Sequence, residues 1–197
     1  FVIIAVSGSA QTPNSWSFVT PVITARSGAV CFEMNQKLYF GTGRNATTAF
    51  RDFWEYDPST GAWTQKSNLI GPRYDATGFA VNYVGDPDFI PPMSQTEEIA
   101  IIGGGRDITG NVLSSYYSFD SEHNMWNSIL SSLGARYGAV VIPKTQYIID
   151  LSIGQVLTWH KAYIGFGVNS SGTFLNDFYE ISSSYPANNV IVASKQN

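Results

Sequence analysis

The chain has 197 residues, enough for one sizeable core or two small ones, and 44% of them are hydrophobic, which excludes a disordered polypeptide. Only 13% are charged while aromatics reach 14% and Gly numbers 18, a balance that favours β-structure with tight turns. A net charge of −4 without any Lys/Arg cluster argues against a nucleic-acid partner, and a single cysteine rules out an intrachain disulfide and a Cys-based zinc site.

The first stretch, "FVIIAVSGSA", has two readings that the residues leave open. Six apolar residues followed by small ones and then Gln11 look like the end of a secretory signal cleaved after Ala10. The same Val/Ile-rich run also suits a β-strand that pairs within this chain or with a neighbour. It is too short to span a bilayer, so no transmembrane segment is expected. Cys31, in the apolar run "AVCF", is expected to be a small core residue.

From Ala25 onward one pattern occurs three times. Each unit opens with an Arg (Arg26, Arg73, Arg136) at the head of a strand of small and apolar residues. A second apolar strand ends in Gly-x-Gly: Gly41 and Gly43, Gly103 and Gly105, Gly165 and Gly167. A polar loop leads to an aromatic strand, "DFWEYD", "SYYSFD" or "DFYEIS". In the first two units a Trp (Trp63, Trp126) stands six residues beyond the final Asp (Asp57, Asp120), while the third has Asn188 six beyond Ser182. Alternation predicts Phe53, Glu55 and Asp57 on one side of their strand and Trp54 and Tyr56 on the other. "DPSTG", Asp57 to Gly61, predicts a tight turn. Arg to first Gly spans 15 residues in the first unit but 30 and 29 in the others, which predicts insertions at one loop of the repeat.

These residues resemble the kelch repeat, and the units look like those of bacterial secreted kelch proteins. The resemblance covers roughly residues 25 to 182 and implies an all-β, kelch-type β-propeller: about three full four-stranded blades, with terminal strands that complete another. It divides the chain into 1–24, the apolar segment plus a strand around Trp16 from a preceding blade, and 25–197, the blades. "NNVIVAS" is then a strand piece that joins the N-terminal pieces in a fourth blade, or these residues are part of a longer chain that carries the other blades, or neighbouring chains complete each other's sheets. Trp54, Trp63, Tyr117 and Trp126 suit packing between blades.

Kelch proteins commonly bind ligands on the face formed by the loop after the paired glycines and the loop entering the first strand. The resemblance carries this role to Arg44 and Asn45, Arg106 and Asp107, Val168 and Asn169, and to Arg26, Arg73 and Arg136. Arg presents a rigid fork of donors suited to carboxylates and sugar hydroxyls. The three repeated arginines equally suit a structural task, capping carbonyls around the channel. Asn45 and Asn169 also open N-x-S/T matches, acceptors only in a glycosylating secretory system. Copper-dependent relatives need two His, two Tyr and a Cys joined to a Tyr; here His123, His160 and Cys31 stand in unrelated contexts. No metal, cofactor or catalytic set is therefore expected. The leading expectation is a non-enzymatic, secreted or cell-surface module that binds a protein or glycan on its loop face. Two alternatives stay open: a subunit of an extracellular filament assembled by donation of the N-terminal strand, and a carbohydrate-active propeller such as a sialic-acid epimerase.

Overall fold

The computed structural model describes residues 19–82, 98–129, 131–150, 155–183 and 191–195. The apolar start, Trp16 and the loop 83–97 of the second unit lie outside the described residues. Twelve strands are described, in three antiparallel sheets of four taken in chain order. The first is β1 (Ser27–Met34), β2 (Lys37–Arg44), β3 (Phe53–Asp57) and β4 (Ala62–Lys66). The second is β5 (Thr77–Asn82), β6 (Glu98–Gly103), β7 (Tyr116–Asp120) and β8 (Met125–Ile129). The third is β9 (Val140–Asp150), β10 (Gln155–Gly165), β11 (Phe178–Ser183) and β12 (Ile191–Lys195). Each repeat of the sequence is thus one blade.

Two expectations about the repeat change. The segment around Ile191–Lys195 closes the third sheet against β11 and does not belong to a fourth blade. At the register position that Trp63 and Trp126 hold in the other blades, β12 has Ala193. The extra residues of the third unit lengthen the β9–β10 hairpin to strands of 11 residues each, against 8 in β1 and β2. Those that the structure describes, 145–150 and 155–160, are ladder-paired backbone rather than a free loop.

Equivalent registers show why the motif recurs. Gly41 pairs with Phe53, Gly103 with Tyr116 and Gly165 with Phe178. In each case the aromatic side chain occupies the space a Cβ would need. At Gly103 that atom would stand 1.8 Å from Cδ1 of Tyr116. Glycine there is a socket for the first ring of the third strand. The two residues after that socket take left-handed backbone in every blade, including the non-glycine residues Thr42 (φ 59) and Phe166 (φ 62). At the other end of β1, Asn35 and Gln36 (φ 52 and 61) form a two-residue hairpin turn of the kind that matches strand twist. The Asp57 turn closes as expected, with Ser59 N donating to Oδ1 at 2.8 Å and Gly61 N to the Asp57 carbonyl at 2.8 Å.

The core lies between sheets. Val30, Met34, Tyr39 and Phe53 of the first blade pack on Ala100, Ile102, Phe119 and Trp126 of the second. Phe53 meets Phe119 and Trp126 edge-on at 5.0 Å. The opposite face of the second blade, Phe79, Val81, Ile101 and Tyr116, packs on Ala162, Ile164 and Ile181 of the third. Burying one such indole removes about 150–250 Å² from water, an upper bound of roughly 4–6 kcal/mol. The first strands β1, β5 and β9 touch from blade to blade, so they converge on a common axis. Cys31 departs from expectation: it is exposed, because alternation along β1 gives the face packed on the second blade to Val30, Phe32 and Met34.

Candidate functional site

The loops after each Gly-x-Gly and the segments entering β1, β5 and β9 are stitched together from blade to blade. Gly43 N donates to Arg73 O at 2.8 Å, and Gly105 N repeats that bond to Arg136 O at 2.7 Å. Nearer the axis, Asp75 N donates to Gly28 O at 2.9 Å and Gly138 N to Asp75 O at 3.0 Å. This face therefore holds its side chains on a connected backbone.

Arg26, Arg73 and Arg136 sit inside the blades, not on that face. Arg26 grips Asp52 with both terminal nitrogens, at 2.5 and 2.8 Å, and caps Thr42 O at 2.9 Å. Arg136 grips Asp177 at 2.8 and 2.8 Å and also reaches Phe166 O and Leu133 O. Arg73 meets Gly104 O and Ser115 O at 3.0 Å, with the Ser115 hydroxyl where its counterparts have a carboxylate. Arg73 and Arg136 are 1% and 3% exposed. As ligand contacts these three arginines are corrected to structural pins: each ties its own strand-two turn to the entrance of its third strand. Burial pulls the Arg73 guanidinium below its ordinary pKa. Burial also opposes the charge of Arg136, but Asp177 outweighs it and raises that pKa.

Asn45, Asp107 and Asn169 occupy equivalent loop positions and do one job. Each side-chain Oδ1 accepts from the backbone two residues on: Thr47 N at 2.9 Å, Thr109 N at 2.9 Å and Ser171 N at 3.0 Å. The hydroxyl of that same residue also donates to it, at 3.3, 2.7 and 2.8 Å. Donors led by Thr109 hold the Asp107 carboxyl at about 2. Asp107-Ile108-Thr109 is not a glycosylation acceptor, yet it folds the same way. Asx-turn chemistry thus accounts for a side-chain oxygen acceptor at this loop position in all three units.

The structure brings Arg44 and Arg106 together, with residues that sequence reasoning missed. The Tyr74 ring lies between them, 4.3 Å from the Arg44 guanidinium and 4.8 Å from that of Arg106. Arg106 also stacks on Tyr137 at 4.1 Å and donates to Asp75 at 2.5 Å. The result is a ladder, Arg44–Tyr74–Arg106–Tyr137, crossing three blades. Asp75 has φ 53 at a position where the other units use Gly28 and Gly138. A non-glycine residue held in left-handed backbone is strained, and such residues concentrate at functional positions. The available signal was the motif itself: "RYD" and "RYG" against "RSG" in the first unit. In the third blade Val168 replaces the ladder Arg, and Phe166 and Phe174 are exposed nearby.

A second recess of about 320 Å³ runs along the first strands and is lined by Cys31, Glu33, Phe79, Glu98 and Val141, among others. Crowding there pushes the Cys31 thiol up, away from nucleophilic use at neutral pH. No group of three or more metal-ligating side chains occurs among the described residues.

Three sheets of this construction, with the glycine sockets, buried arginines and interleaved rings in register, define a kelch-type β-propeller fold. The solved structure of YjhT is similar: TM-score 0.51 over 87% of this chain, at 13% sequence identity. At that identity the likeness speaks for the fold alone. The chain spans about half the length of YjhT, 52%. No protein-family model matches the sequence, and neither does any curated protein.

Proposed function

We propose that this protein is a non-enzymatic binding module, secreted or displayed at the cell surface, whose loop face captures an anionic group on a protein or an acidic glycan. One observation carries the reading. Arg44 is exposed, is held 4.3 Å over Tyr74, and has no carboxylate partner among the described residues. A guanidinium fixed on an aromatic face is pre-organised, so less freedom is lost when it closes on a carboxylate. Arg106 adds a second fork, partly neutralised by Asp75. Phe166 and Phe174 extend the face with apolar surface suited to the flat side of a sugar ring or a peptide side chain. The location rests on the signal-like run at Phe1–Ala10 and the low share of charge. Nothing in this recognition calls for a cofactor.

The test is binding to an array of acidic and neutral glycans, with acidic peptides titrated in parallel, for the wild type, Arg44→Ala and Arg106→Ala. Acidic probes should bind in a salt-sensitive way, and each variant should lose about tenfold or more in affinity. Absence of binding by the wild type, or equal binding by all three proteins, refutes the reading.

A further inference from the structure

The outer face of the third blade repeats, position by position, the face with which the first blade packs on the second. Val140 and Ile142 stand where Val30 and Phe32 do; Tyr163, Phe178 and Glu180 stand where Tyr39, Phe53 and Glu55 do. Even the polar network is copied. Lys37 and Tyr39 donate to Glu55 at 2.7 and 2.8 Å; Lys161 and Tyr163 donate to Glu180 at 2.7 and 2.9 Å. In the first blade this face is buried, with Tyr39 1% exposed. In the third it is open, with Val140 and Ile142 each 51% exposed.

The far face of the first blade is the matching receptor. Its Phe40, Trp54, Tyr56 and Trp63 occupy the places of Ile102, Tyr117, Phe119 and Trp126, which receive the first blade in the second. One atom there lacks its partner. Trp126 Nε1 donates at 2.8 Å to Ser67 O, at the end of the preceding blade's fourth strand, whereas the buried Nε1 of Trp63 has no acceptor among the described residues.

We propose that the third blade of one copy docks on the first blade of a second copy, so that two chains close one propeller ring. Size and charge at the new joint agree with this pairing. Gly78 leaves no room for a Cβ beneath Val30 and Phe32; the equivalent Cys31 carries a side chain, and there the docking blade offers the smaller Ile142 in place of Phe32. One step along the strand, the apolar pair Met34 and Ala80 is replaced by Lys144 on the docking face and Glu33 on the receptor. The joint is head-to-tail, which closes only if the blade count suits a ring. Propellers close with about four to eight blades, so two copies of the three described blades fit and three copies do not.

Light scattering on the eluting full chain tests this. The expected mass is twice 21.6 kDa at tens of micromolar. Ile142→Asp, at an exposed position, should give a folded monomer. Glu33→Lys and Lys144→Glu should each weaken the dimer at least several-fold, and the double reversal in one chain should restore it. A monomeric wild type, a dimer indifferent to Ile142→Asp, or single reversals that the double variant fails to rescue would each overturn the proposal.

Discussion

Blade two and blade three hold the same buried arginine with different partners, which makes a reciprocal exchange informative. Asp177→Ser removes two 2.8 Å charge-assisted bonds from a guanidinium that is 3% exposed. Stripping one partner from a buried pair generally costs about 3–5 kcal/mol. Blade two sets a lower figure here. Arg73 is held at 1% exposure by the Ser115 hydroxyl, two carbonyls at 3.0 Å and the Tyr117 face at 5.0 Å. Arg136 keeps comparable acceptors in Leu133 O and Phe166 O. The expected loss is therefore about 2 kcal/mol. The reverse change, Ser115→Asp, should gain about 1 kcal/mol, since a carboxylate replaces a neutral acceptor already bonded at 3.0 Å. Urea unfolding followed by the fluorescence of the five Trp residues measures both. With a slope of about 2 kcal/mol per M, Asp177→Ser should move the midpoint down by about 1 M and leave the slope unchanged. The shift should persist at high salt, because the pair is shielded from it. A loss below about 0.5 kcal/mol, or a destabilising Ser115→Asp, would refute the view of these arginines as pins whose strength is set by the third-strand entrance.

Other outcomes follow from the same geometry. Gly103→Ala drives a methyl into the Tyr116 ring and should cost about 2–3 kcal/mol in a thermal or urea melt; a neutral result would mean the ring does not fill the socket. Asp75→Gly relieves left-handed strain but removes the Arg106 pair and adds unfolded-state freedom, so denaturation should change by less than about 1 kcal/mol. Arg106 charge is then released, and acidic ligands should bind more tightly. On acidification, Arg136 holds Asp177 below the usual carboxylate range; for Asp52, burial pushes upward and the Arg26 and Trp54 donors outweigh it. Depressed carboxylates stabilise fully above their unfolded pKa and lose that contribution as pH falls through the folded value. Stability should thus stay level from neutrality to about pH 5 and drop below about pH 4, less steeply in Asp177→Asn.

Local chemistry told most of the fold. Gly41, Gly103 and Gly165, the alternation of Phe53 to Asp57, and the Asp57 turn are each dictated by neighbours a few residues away, so they were legible one strand at a time. Arg44 and Arg106 were legible as loop residues of a repeat. Tyr74, Tyr137 and Asp75 were not, because their meaning comes from a ring or carboxylate on the next blade. Likewise, nothing in "ARSG", "PRYD" and "ARYG" separates a buried arginine from an exposed one.

By itself the sequence determined the repeating unit: strand periodicity, glycine sockets and turn residues act over short range and repeat in register. Only the tertiary structure decided which equivalent residues are buried. Tyr39 and Tyr163 share one motif, and each donates to the glutamate of its own third strand, yet the first is sealed by Phe119 and Trp126 of a neighbouring sheet and the second is not. The hydrophobic effect acts on surface removed from water, and for a blade that surface is covered by another blade, far away in the chain.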